Sequence, residues 1–162
     1  MTTYIRLPVE LRCEVEDLYS HYASIMDEKR PNDWVAMFHP DAIYRVGTHN
    51  NVSTTGMWWY TDIGEILLKE RAAYTNGYAW HNLSKTLHLI TNLRAKVTEE
   101  SAVSVQAYFT LFAADKSGLS ELQVVGRYDD VLSRDENGQL RFVSHTVVID
   151  SETVPGNVGV LF

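Results

Sequence analysis

The segment Ala102–Asp150 constrains the fold more than any other part of the chain. Val103, Val105, Ala107, Phe109, Leu111 and Ala113 alternate with Ser104, Gln106, Tyr108 and Thr110. Ser117-Gly118 and Asn137-Gly138 then separate this run from Glu121–Ser133 and from Leu140–Asp150. Period-two patterning interrupted by Gly-containing turns is the signature of an antiparallel meander. Each run is about twice the usual strand length of roughly 5–6 residues, and strands of that length twist and coil. Gly126, in the middle of the second run, is expected to mark a bulge or sharp bend. A bent sheet has a concave face, which the rest of the chain must fill. The opposite face is read as Thr110, Phe112, Val125, Arg127, Val143, His145 and Val147. It is too apolar to face water and is expected to meet a partner.

The preceding chain supplies the filling. Residues 1–7 read as an arm, and Pro8 as the opening of a helix, where its missing N–H costs nothing. Leu11, Val15, Leu18, Tyr22 and Ile25 form one apolar stripe on that helix, which is expected to end near Lys29-Arg30. Asn32 or Asp33 caps a short second helix over Trp34–Phe38, which Pro40 stops. Ala42–Val46 reads as a short strand. Residues 47–56 read as a polar loop, since they lack periodicity. Met57–Tyr74 reads as a third helix with Ile63, Ile66, Leu67 and Tyr74 as its apolar side. Tyr78–Leu83 is ambiguous. Thr86–Val97 reads as a long strand with Leu87, Leu89 and Leu93 opposite His88, Ile90 and Asn92. The tail 152–162 ends in Val158, Val160, Leu161 and Phe162, expected to pack on the domain or a partner. Helices segregated from strands indicate an α+β domain. The expected form is a cone: one long curved antiparallel sheet wrapped around the N-terminal helices, as a single domain over residues 1–162.

Composition narrows the function. The net charge of −7 argues against nucleic acid and anionic membranes as partners. Apolar runs fall well short of a membrane span, the opening residues do not read as a signal peptide, and a cytoplasmic location is the expectation. The single cysteine, Cys13, excludes an internal disulfide and a multi-cysteine metal site, and reads as a structural thiol within the helix. The six histidines, His21, His39, His49, His81, His88 and His145, form no H-x-H or H-x-x-x-H pair.

Several blocks resemble a known family. They are Val15-Glu16-Asp17-Leu18-Tyr19, Ile25-Met26-Asp27-Glu28-Lys29-Arg30, Asp33-Trp34-Val35-Ala36-Met37-Phe38 and Asp41-Ala42-Ile43-Tyr44-Arg45-Val46. His88-Leu89-Ile90-Thr91-Asn92-Leu93, Gly126-Arg127-Tyr128-Asp129-Asp130-Val131-Leu132, Leu140-Arg141-Phe142 and Val147-Val148-Ile149-Asp150 complete the set. In order and spacing they resemble the small (beta) subunit of Rieske-type aromatic-ring-hydroxylating dioxygenases, within the NTF2-like, or cystatin-like, superfamily. Two features depart from that pattern: Lys85-Thr86-Leu87 stands where the family often has an Arg, and Thr48–Gly56 is neutral where the family's loop is charged. The resemblance implies a non-catalytic chain that trimerises and supports large subunits in a hetero-hexamer. It also implies that the Rieske [2Fe-2S] cluster and the non-haem iron reside in the large subunit. One cysteine cannot ligate a Rieske cluster, which needs two Cys and two His, so no cofactor or metal is expected in this chain.

Two sets of candidate residues follow. Relatives of this fold that perform acid–base chemistry use an Asp or His tuned by burial and a Tyr that polarises a carbonyl. In that alternative reading the chain is a stand-alone dehydratase or isomerase, and its candidates are Asp27, Tyr44, His88 and His145. The subunit-interface candidates are Trp58, Trp59, Arg127, His145 and Asp150, since Trp and Tyr are enriched at interfaces. Trp58-Trp59-Tyr60, with Tyr78 and Trp80, also has the look of an aromatic ligand platform, although core or interface packing is the favoured reading. Arg127, Asp129 and Asp130 are expected to pair across subunits and set partner choice.

Overall fold

A computed structural model describes residues 7–77, 85–114, 117–151 and 162. The helices and strands are α1 (Val9–Asp27), α2 (Pro31–Val35), β1 (Phe38–Thr48), α3 (His49–Thr55), β2 (Tyr60–Ile63), α4 (Gly64–Gly77), β3 (Lys85–Val97), β4 (Val103–Ala114), β5 (Ser120–Arg134) and β6 (Leu140–Ile149). The strands form one six-stranded sheet in the order β2-β1-β6-β5-β4-β3. Only β1 and β6 run parallel; the other neighbours are antiparallel. This is the α+β cone expected of an NTF2-like chain, with α1 laid across β3 and the inner face of the sheet.

The meander forms as its alternation requires. Val103, Val105, Ala107, Phe109, Leu111 and Ala113 all point inward and are buried. Pro8 precedes α1, whose buried side is Val15, Tyr19, Tyr22, Ile25 and Met26. Leu11 and Leu18 only flank this side, half-buried against the core. Trp34 and Phe38 join it, so the cone is filled largely by aromatic rings: Tyr19, Tyr22, Trp34, Tyr44, Phe109, Tyr128 and Phe142.

Strand irregularities correct the expected faces. Leu132 pairs with Phe142 but Val131 pairs with Ser144, so β6 carries an extra residue at Val143. That bulge reverses the alternation. Val143 points outward, while His145 and Val147, expected beside it, are buried on the inner face. A second bulge offsets β3 against β4 between Thr91 and Arg94, with Asn92 at a positive φ of 53°. It brings Leu93 to the core side with Ile90, leaving Leu87 and Leu89 exposed. A third lies between Leu122 and Val124, opposite Phe112 and Leu111.

Gly126 is therefore not a bulge: it pairs in register with Phe109 and Ile149. What it supplies is room. A Cβ there would lie 2.5 Å from the Val148 carbonyl oxygen and 2.6 Å from the Phe109 ring.

Between the first helix and the meander, local rules gave way to pairing. Helix α2 begins at Pro31, which sits at its first turn, rather than at Trp34. Strand β1 runs through Pro40 because the ladder to β6 is irregular between Phe38 and Ile43, so a missing N–H costs nothing there. The expected loop contains helix α3. Thr48 caps it by accepting the Asn51 N–H, and Gly56 ends it in the left-handed region. No residue of α3 is buried, so it carries no apolar period to read. The helix expected from Met57 starts only at Gly64, because Tyr60–Ile63 pairs with Val46–Ile43 as an edge strand. Helix α4 then buries Leu68, Ala72 and Thr75, while Ile63, Ile66, Leu67 and Tyr74 are exposed. Phe162 is buried in the core, and the rest of the expected apolar tail, 152–161, lies outside the described residues, as does 78–84.

Gly126→Ala is expected to destabilise the fold by about 1–3 kcal/mol through overpacking, read as a lower denaturation midpoint in urea with an unchanged slope.

Candidate functional site

Two His–carboxyl pairs occupy the cone. The first joins the end of α1 to β3. The Asp27 carboxyl accepts the His88 backbone N–H at 3.0 Å and lies 2.7 Å from His88 Nδ1. Holding the residue by main chain and ring together orients the imidazole, with Nδ1–H toward Asp27. Nε2 is left buried without a hydrogen-bond partner. His88 also lines an open groove of about 680 Å³ between α1 and β3, with Glu16, Tyr19, Ser20, Ile90 and Leu93. A ring nitrogen freed in this way, opposite a carboxylate-oriented one, is the arrangement of a general base.

The second pair is deeper. Asp130 alternates with Tyr128 on the inner face of β5 and is 1% exposed. Its carboxyl accepts the Tyr19 hydroxyl and, at 2.9 Å, the Thr146 N–H. His145 Nδ1 lies 2.9 Å from Asp130 Oδ1, within ion-pair distance but not aligned for a hydrogen bond. His145 Nε2 faces the Tyr22 hydroxyl at 3.0 Å and the Phe162 carbonyl oxygen at 3.3 Å. Tyr44 stacks on the imidazole at 5.6 Å between ring centres. Its hydroxyl lies 3.5 Å from that of Tyr60. Tyr60 in turn lies under the Arg71 guanidinium, 3.8 Å away, which Asp62 holds by two hydrogen bonds.

Burial controls the phenols. Desolvation raises Tyr44 to about 12. Desolvation likewise holds Tyr19, Tyr22, Tyr60 and Tyr128 well above the usual range, reinforced for Tyr19 and Tyr128 by the Asp130 carboxyl. All five stay neutral, and therefore remain hydrogen-bond donors, throughout the physiological range.

The four residues proposed for acid–base chemistry thus all reach the interior, but in two groups. Asp27 contacts His88, and Tyr44 contacts His145. The interface candidates fare differently. His145 is fully buried within its own chain, so it leaves the set of surface residues. Asp130 is likewise internal. Arg127 pairs with Asp150 of the same chain, both half-exposed. Trp58 is half-buried, with the Arg45 guanidinium 4.5 Å above its ring, and Trp59 packs against the core. Tyr60 packs partly buried against the core beside Tyr44, and Tyr78 and Trp80 lie outside the described residues. Cys13 is exposed on α1. Among the described residues no three His, Cys, Asp or Glu side chains gather as a metal centre would require. None of the described helices is long and apolar enough to cross a membrane.

Sequence reading missed Tyr19, Tyr22, Tyr60, Asp130 and Phe162 as members of the site. Alternation along β5 carried the signal for Asp130, since Val124, Tyr128 and Leu132 share its parity. Tyr22 was read only as part of an apolar stripe, and its hydroxyl is what joins the polar cluster.

With a curved sheet closed over helices and buried His–carboxyl pairs inside, the molecule has the form of an NTF2-like cone. Residues 8–146 match the SnoaL-like domain family, and the chain belongs to that family. Solved structures agree in fold. A candidate beta subunit of an aromatic-ring-hydroxylating dioxygenase from Novosphingobium aromaticivorans is 21% identical, with a TM-score of 0.78, covering 91% of this chain and 94% of that one. ActVI-ORFA from Streptomyces coelicolor is 15% identical, with a TM-score of 0.73 and coverages of 88% and 98%. A candidate scytalone dehydratase from Novosphingobium aromaticivorans is 18% identical, with a TM-score of 0.67 and coverages of 88% and 85%. At such identities the likeness is one of fold, which hosts both enzymes and non-catalytic subunits.

The raised phenols are expected to make the fold less stable at alkaline pH. Below about pH 10 folded and unfolded chains both keep these protons, and stability is independent of them. Above it the unfolded chain releases protons that the fold retains, so stability falls as pH rises. Tyr44 alone is expected to remove about 1.4 kcal/mol per pH unit until its folded value of about 12 is reached. Absorbance of the phenolates should show Tyr19, Tyr22, Tyr60 and Tyr128 ionising only as the protein unfolds.

Proposed function

We propose that the chain is the non-catalytic small subunit of a multicomponent aromatic-ring-hydroxylating dioxygenase, assembling as a trimer that supports large subunits. The observation that carries this reading is the apolar outer surface. Leu87, Leu89, Tyr108 and Leu122 are all exposed on the convex side of β3–β5, with Phe112 half-buried among them. They are contiguous by register: Leu87 pairs with Phe112, which pairs with Leu122. Exposed apolar surface of this kind marks an association site. Ile63, Ile66 and Leu67 add a second apolar area at α4. The aromatic filling of the cone accords with a scaffold role. The blocks along the chain that resemble the dioxygenase small subunit support the same reading. In this complex the large subunit carries the Rieske cluster and the non-haem iron and inserts both atoms of O₂ into the ring. Electrons arrive from NAD(P)H through a reductase.

The chain should be co-expressed with the large subunit, recognised by the Cys-x-His…Cys-x-x-His pattern in a neighbouring reading frame. A complex stable through size-exclusion chromatography is expected, and Leu89→Glu should weaken assembly with little change in the thermal midpoint of the isolated chain. A monomeric chain that forms no complex would overturn this reading.

One observation favours a second reading, acid–base catalysis by the isolated chain: the buried, unpartnered Nε2 of His88 opposite Asp27. On that reading the isolated chain turns over cyclic ketones or alcohols, and His88→Gln and Asp27→Asn each abolish turnover. On the subunit reading the isolated chain has no turnover to lose. His88→Gln then lowers only stability or assembly.

A further inference from the structure

Most of the described arginines face a carboxyl of their own chain. Arg12, Arg30, Arg71, Arg127, Arg134 and Arg141 each lie within ion-pair distance of an Asp or Glu. Among the described residues only Arg45 and Arg94 have no carboxyl at that distance. Both stand on the outer face of the sheet. Their neighbours turn inward: Tyr44 and Val46 on β1, Leu93 and Ala95 on β3. Both also lie over an aromatic ring. Arg45 is 4.5 Å from the centre of Trp58, and Arg94 is 5.9 Å from that of Tyr108.

Arg45 is the more firmly held. Its Nε donates to the Thr146 hydroxyl at 3.1 Å. Trp58 is fixed in turn. The next residue, Trp59, donates its N–H to the Val46 carbonyl at 2.8 Å. The Trp58 ring also sits so close to Gly47 that a Cβ there would lie 3.1 Å away. A guanidinium laid on a ring with its Nε already bonded presents its two amino groups as a fixed fork. That geometry takes a carboxylate by two parallel N–H···O bonds, with little side-chain freedom left to lose. Arg, Trp and Tyr are also the residues that dominate binding energy where proteins meet.

The two arginines end one cross-strand row. Arg45 pairs with Thr146, Arg94 with Gln106, and Gln106 with Asp129. The register of Tyr128 on Val147 and Val131 on Ser144 sets Asp129 beside Thr146. The row therefore reads Arg45, Thr146, Asp129, Gln106 and Arg94 across β1, β6, β5, β4 and β3. At the usual strand spacing its ends are roughly 19 Å apart. A second copy laid row on row about Asp129, in either direction, sets arginine against arginine and Asp129 against Asp129, and like charges oppose that contact. The complement is a different surface that carries carboxylates at this spacing.

Resting on the reading of the chain as a dioxygenase small subunit, we infer that Arg45 and Arg94 anchor its contact with the large subunit, each receiving an Asp or Glu side chain of that subunit, while the apolar surface of Leu87, Leu89 and Phe112 packs alongside.

The test uses the full chain and the co-expressed large subunit, with affinity read by surface plasmon resonance at low and high sodium chloride. Arg45→Gln is expected to weaken binding roughly tenfold, and Arg94→Gln, on a more exposed ring, several-fold. The doubly substituted chain should lose less affinity with added salt than the unsubstituted one. Should Arg45→Gln lower the thermal midpoint of the isolated chain, the exposed Arg94→Gln carries the comparison. A complex whose affinity or salt dependence is unchanged by both substitutions would overturn this inference and leave the small-subunit reading standing. Failure of the unsubstituted chain to form any complex would overturn both. Self-association lost on Arg45→Gln, with binding to the large subunit unchanged, would put the carboxylates on a second copy and overturn the inference as well.

Discussion

The placement of α1 depends on one buried carboxyl. Asp130 sits on the middle strand of the meander with almost no exposure, and a carboxyl in that position is costly unless its oxygens are used. They are used by Tyr19 from α1, by the backbone of Thr146 on β6, and by proximity to His145. The same helix is fastened again at its end, where Asp27 takes the ring and backbone of His88 on β3. Helix α1 is thus pinned at two points along its length to opposite parts of the sheet. Its tyrosines can then only face inward, and the aromatic interior packs around that fixed direction.

Curvature and face selection are linked through the bulges. An extra residue in a strand bends it and also exchanges its faces beyond that point. The bulge at Val143 therefore does two things together. It helps turn β6 around the cone, and it moves His145 from the outer wall into the centre, beside Tyr22 and Tyr44. The offset at Thr91–Arg94 likewise brings Leu93 to the core and leaves Leu87 and Leu89 outside. One irregularity thus places His145 in the polar centre and another places Leu93 against the core.

Much of this was legible in the residues. The alternation of β4, the apolar side of α1, and Trp34 and Phe38 as filler follow from periods that depend only on neighbours along the chain. Asp27, Tyr44, His88 and His145 were recognisable by residue type and lie inside as a catalytic reading would need. The grouping was not legible. Asp27 meets His88 across 61 positions and Tyr22 meets His145 across 123, and no local pattern encodes such distances. Helix α3 left no trace because it is held by hydroxyls bonding back to the backbone of Asn50 and Asn51 and buries nothing. Strand β2 reads locally as helix because its pairing with β1, and not its own composition, makes it a strand.

The sequence by itself determined the α+β class, the long meander and the need for a helical filler, because binary patterning acts residue by residue and buries whichever face it makes apolar. Tertiary structure alone decided which polar groups share the interior. Bulge positions depend on the register between strands, and one inserted residue exchanges inside for outside. That is why His145, read from the chain as a surface residue, became part of the buried centre to which Tyr22, Tyr44 and Phe162 are joined.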